Sequence, residues 1–142
     1  MHSSRISQPM EVIKKINIRF AATLMLVLLS CIVVFHLFVL SGAIPYNVVW
    51  GGRLESASQM YMFEVVSITI NLMVITIIGI KAGYIKPFIS KRALTFLLWA
   101  LAMLFALNTV GNLFATTILE TILFTPLTLI SAVLCYRMAI ED

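Results

Sequence analysis

A small set of polar side chains is positioned to do chemistry in an otherwise apolar sequence: His36, Trp50, Arg53, Glu64, Asn71, Asn108, Asn112 and Glu120. Each lies in or beside a long hydrophobic stretch, where a polar group is costly and turns toward a protein interior or a wet cavity. Glu64, Ser67 and Asn71 follow one another at helical spacing. At about 100° per residue they share one stripe. Asn108, Gly111, Asn112 and Ala115 form a second stripe. Arg53 is the basic residue nearest to Glu55, Glu64 and Glu120 along the expected fold. A guanidinium can bridge carboxylates through paired hydrogen bonds, so Arg53 with Glu64 is the expected pair. Such a pair would serve as a structural clasp, or as a site for a ligand or a proton.

Other chemistries lack their residues. The two cysteines, Cys31 and Cys135, form no CxxC, and a redox thiol needs a resolving partner close by. They read as small apolar residues. The two histidines, His2 and His36, have no neighbours at metal-ligand spacing, so no metal is expected. A phosphate-cradling glycine loop, a GxSxG elbow and an HExxH are all absent, and no cofactor is implied. The balance leans away from an enzyme. The enzymatic reading that survives is an intramembrane one, with Glu64 and His36 as acid and base acting on a lipid or quinone.

What positions these residues must be membrane helices. Of the 142 residues, 61% are hydrophobic and 11% charged, and the mean hydropathy is +1.05. An ordinary soluble domain is about 25% charged. Disorder requires the opposite composition, and a membrane barrel requires polar alternation and frequent turns. A helix needs about 20 apolar residues to cross the hydrocarbon core. Stretches at about 20–41, 61–80, 93–113 and 120–136 meet that test, the last shortened and blurred by Pro126. The expected fold is an all-α membrane protein, a single domain built as a four-transmembrane-helix bundle. The first apolar run, about 22 residues long, exceeds the 7 to 15 of a signal-peptide core and reads as a span. Cys31 sits in a loose lipoprotein-like box, but the apolar run continues past it. Gly79 with Gly83 and Ala102 with Ala106 have the spacing of helix-packing faces.

Basic residues near span ends are retained in the cytoplasm. Of ten lysines and arginines, nine fall on one side: Arg5, Lys14, Lys15, Arg19, Lys81, Lys86, Lys91, Arg92 and Arg137. Only Arg53 falls on the other. Both termini and the 81–92 loop are therefore expected in the cytoplasm, and the 44–60 loop outside. The net charge of +4 needs no nucleic acid; anionic headgroups account for it. With alternating helix directions, His36, Glu64, Asn108, Asn112 and Glu120 gather in the outer half. The 44–60 loop adds Pro45, Gly51-Gly52 and the interface aromatics Tyr46, Trp50 and Tyr61, as a lid would.

The segment 45–64, together with Asn108-Thr109-Val110-Gly111-Asn112-Leu113-Phe114-Ala115, Glu120 and Pro126, resembles a group of small uncharacterised four-helix bacterial integral membrane proteins. The resemblance covers nearly the whole chain and implies a bacterial cytoplasmic membrane location without an activity. Small multidrug exporters carry an essential acid in their first helix, and this first span has none. Claudin-like proteins have paired cysteines in their first outer loop, absent here. The leading expectation is a binding or transport protein with a polar pocket open to the extracytoplasmic side, taking a small-molecule or lipid ligand. The alternative is an accessory or structural subunit, pairing as a homodimer or with a larger membrane partner.

Overall fold

The computed structural model describes residues 7–118 and 120–141, with side chains described from Met10 onward except that of Glu120. The described residues are helical or in turns. The helices are α1 (Ser7–Lys14), α2 (Ile18–Leu40), α3 (Ala57–Ala82), α4 (Lys91–Leu113) and α5 (Thr125–Ala139), the last preceded by a π-helical turn, Glu120–Phe124. Four spans are long and apolar enough to cross a membrane: α2, α3, α4 and the continuous 121–139 segment.

Polar caps set where the spans begin, and each of the first three starts earlier than hydropathy alone predicts. Asn17 accepts from the backbone N–H of Arg19 and Phe20, starting α2 at Ile18. Ser56 accepts from Gln59 N–H while the Gln59 amide oxygen accepts from Glu55 N–H, a reciprocal cap. Residues 57–60, expected in the loop, are therefore the first turn of α3. Ser90 accepts from Ala93 N–H and begins α4 at Lys91. Gly83, with φ 81°, ends α3 in the left-handed conformation that helix C-termini favour.

Pro126 explains the last span. Proline inside an α-helix lacks an N–H and crowds the carbonyl four residues back. Here it stands at the start of the regular helix, and the turn before it is wound wider, as a π-turn.

The helices pair as two hairpins, α2 with α3 and α4 with α5, which meet along α2 and α5. The main core lies along these seams: Ala21, Met25 and Leu29 of α2, Ile78 of α3, Leu98 of α4, and Cys135 and Met138 of α5. A second cluster, Val39, Val49, Leu54 and Met60, packs the 42–56 loop onto the ends of α2 and α3. Large apolar side chains such as Val65, Leu107 and Val110 face outward along the spans, as they would toward acyl chains. Gly79 and Gly83 do not form a helix-packing face. Gly83 caps α3, and a Cβ on Gly79 would stand 2.8 Å from Ile85 Cδ1, so Gly79 is the notch in which Ile85 seats.

At the end carrying the termini, two cations close the bundle. Arg137 donates from Nε to the Ile16 carbonyl at 2.8 Å and pairs with Glu141 at 2.6 Å. Lys81 donates to the Glu141 carbonyl at 2.8 Å.

Candidate functional site

His36 lies one turn before the end of α2, and Glu64 lies in the second turn of α3. Because the two helices are packed antiparallel, those positions come to the same depth. Between them drops a loop residue. Trp50, Gly51 and Gly52 have φ of 57°, 69° and 68°, three successive left-handed residues that turn the chain back on itself. Glycine adopts this conformation freely; for a tryptophan it costs about 1–2 kcal/mol. The strain is offset where the indole goes.

Trp50 Nε1–H donates to Glu64 Oε1 at 2.8 Å, and His36 Nδ1 lies 2.6 Å from Glu64 Oε2. Glu64 has 0% exposure. An unpaired carboxylate at such a site is prohibitively costly, so both oxygens must be engaged. Neither partner is a lysine or an arginine. The imidazole nitrogen and the carboxyl oxygen are joined by one hydrogen bond across the α2–α3 seam. His36 Nε2 has no hydrogen bond to any described residue and is not sealed, since the ring retains 14% exposure. The far edge of the imidazole is thus the accessible side of an otherwise buried pair. Aromatic rings surround it: Phe63 meets Trp50 edge-on at 5.0 Å, and Phe35 meets His36 at 5.9 Å and Phe124 of the π-turn at 5.1 Å.

Arg53 does not pair with Glu64, contrary to expectation. Its side chain is exposed, has no ion pair or hydrogen bond among the described residues, and lies against Gly51, where a Cβ would stand 3.3 Å from its Nε. The left-handed turn is the cause: it sends the side chain of residue 50 inward and leaves that of residue 53 outside. The same turn is tied to the α4–α5 connection, where the Thr116 hydroxyl donates to the Gly51 carbonyl.

The other expected site residues separate into different surroundings. Asn71 is half-buried on the same stripe as Glu64 and the buried Ser67, but its Nδ2 donates to the Ser67 carbonyl of its own helix at 2.9 Å. Asn112 is half-buried between α4 and α5, 3.4 Å from Thr128 Oγ1. Thr109 Oγ1, absent from the sequence expectations, lies 3.0 Å from Thr128 Oγ1 and is the buried polar residue of α4. Asn108 is exposed and has no partner among the described residues. The reason is registration. The buried face of α4 runs through Leu98, Ala102, Phe105 and Thr109, and Asn108 stands about 100° away from Thr109. The side chain of Glu120 lies outside the described residues.

The expected single vestibule is therefore replaced by two groups, Glu64 with His36 and Trp50 between α2 and α3, and Asn112 with Thr109 and Thr128 between α4 and α5. A shallow groove of about 280 Å³ exists elsewhere, lined by apolar residues including Trp99, Met103 and Tyr136. Among the described residues no group of three histidine, cysteine or acidic side chains could hold a metal. The sequence matches no protein-family model, and comparison with curated proteins and with solved structures found no match.

Proposed function

We propose that this chain is a small multi-pass binding or transport protein of a bacterial cytoplasmic membrane, with both termini cytoplasmic and the Glu64–His36–Trp50 centre near the outer side. The reading is carried by one observation: among the described residues a fully buried carboxyl group is held by an imidazole and an indole, the indole on a strained loop turn. A purely structural carboxylate would be cheaper to replace with an apolar residue. Here the cover can lift without breaking either helix, exposing a carboxylate to a ligand that takes the place of the Trp50 indole. Aromatic rings at the rim suit a partly apolar ligand that carries a cation or a hydrogen-bond donor. The test is a thermal-shift screen of purified protein in detergent with a panel of lipophilic amines and the lipophilic cation tetraphenylphosphonium, on wild type and Glu64→Gln. Stabilisation of wild type that is lost in the variant supports the centre. Equal shifts in both remove Glu64 from any binding role.

A second reading, an accessory subunit, is favoured by Asn108. An amide facing outward from a span flanked by exposed Leu107 and Val110 has an unmet hydrogen-bonding need in hydrocarbon. A neighbouring helix, from a second copy or from a larger partner, would meet it. Affinity purification from native membranes distinguishes the readings, since a stoichiometric partner lost on Asn108→Leu identifies a subunit.

A further inference from the structure

The end of the bundle toward Lys14 and Arg137 holds more cations than its fold uses, and several of them are placed against a helix dipole. Lys81 and Arg137 sit in the last turns of α3 and α5, where the helix dipole favours a cation, and both are engaged within the chain. Arg19, Lys91 and Arg92 sit in the first turns of α2 and α4, where the same dipole disfavours one. Neither helix carries an acid there. Lys86 stands on the 83–90 connection that leads into α4. All four side chains are exposed and without a partner among the described residues. Cations placed against two helix dipoles, with no carboxylate paired to them among the described residues, create a surface of positive potential open to a partner from outside the chain.

The apolar side chains of that surface indicate what meets it. Ile85 is seated on Gly79, and the residues on either side of it turn outward: Tyr84 is 68% and Phe88 74% exposed. Aromatic rings alternating with lysines on a connection between two spans suit the headgroup layer, where rings and charges both find their environment. The opposite end of the spans has Arg53 as its one basic residue.

We propose that this surface is a docking site for anionic phospholipid, with headgroup phosphates held by Lys86, Lys91 and Arg92, and Tyr84 and Phe88 set among the headgroups. Arg19 extends the same field along the first turn of α2. The inference is independent of the Glu64 centre, which lies at the other end.

The test uses the full chain in a neutral detergent, titrated with mixed micelles of phosphatidylglycerol or phosphatidylcholine, with thermal stability and lipid retention in native mass spectrometry as readouts. Phosphatidylglycerol is expected to stabilise and be retained, and phosphatidylcholine not. Each removed surface cation weakens anionic-lipid binding about fivefold, so Lys86→Gln, Lys91→Gln and Arg92→Gln together weaken it on the order of a hundredfold. Arg53→Gln serves as the control and leaves retention unchanged. Should the triple variant fail to fold, the wild type decides alone, because its preference for the anionic lipid must collapse when salt is raised to about 1 M. Equal retention of both lipids, a preference that survives high salt, an equal loss in Arg53→Gln, or the same stabilisation by inorganic phosphate alone would overturn the proposal.

Discussion

The indole of Trp50 and the carboxylate of Glu64 stand 2.8 Å apart although one belongs to an irregular loop and the other to the interior of a membrane helix. The loop residue bears a positive φ to reach that position. Removing either member leaves a buried polar group without its partner, which costs about 1–3 kcal/mol in excess of the lost contact. Trp50→Phe and Glu64→Leu are each expected to destabilise the protein, and the double variant by less than their sum. A double-mutant cycle from unfolding in mixed detergents measures the difference; strict additivity would show that the two residues are not coupled.

Two arginines differ in what they hold. Arg53→Ala is expected to change stability by no more than about 0.5 kcal/mol, as for any exposed side chain without partners. Arg137→Ala leaves the Ile16 carbonyl and Glu141 unanswered and is expected to cost about 1.5–3 kcal/mol. The same unfolding experiment ranks them, and the reverse order would refute the assignment of Arg137 as the clasp.

Glycines give a contrast of sign. Gly52→Ala forces a side chain into a left-handed residue and against Asn47 and Thr116, at a cost of about 1–2 kcal/mol or more. Gly111 is inside α4, has nothing within 4 Å of a Cβ, and its replacement by alanine is expected to stabilise by roughly 0.5–1 kcal/mol. Thermal midpoints moving in the same direction for both variants would contradict the geometry.

Thr128 ties α4 to α5 through Thr109. Hydrogen bonds between membrane helices average about 0.6 kcal/mol and reach about 1.7. Thr128→Val preserves shape and is expected to lose an amount in that range, with no effect on the fluorescence of Trp50, which reports the other hairpin once Trp99 is replaced by phenylalanine.

The spans were legible because an apolar run of this length has few alternatives, but their starts were not. Hydropathy marks where the chain becomes apolar, whereas Asn17, Ser56 and Ser90 start each helix in the polar residues just before. The short α1 carries too few residues for a periodic signal. Antiparallel helix direction is enough to bring His36 and Glu64 to a common level of the bundle, where they meet; what it does not provide is azimuth. Asn108 and Asn112 share a stripe on paper, yet the packed face of α4 passes through Thr109. The choice of Trp50 over Arg53 as the partner of Glu64 was beyond the sequence for a different reason. Gly51-Gly52 announces a positive-φ turn, but that the turn begins one residue earlier, at a tryptophan, depends on the bonds the indole makes once the bundle exists.

The hydrogen bond between Arg137 and Ile16 spans 121 residues, and its consequence lies in assembly. Synthesis delivers α2 first and α5 last, so the earliest helix must wait in the bilayer for its final neighbour. The two hairpins can insert one after the other, each complete in itself, but a chain truncated before the last span would leave a half-built molecule whose exposed seam invites degradation. Closure of the bundle therefore waits on α5, whose Arg137 reaches back to Ile16 just ahead of α2.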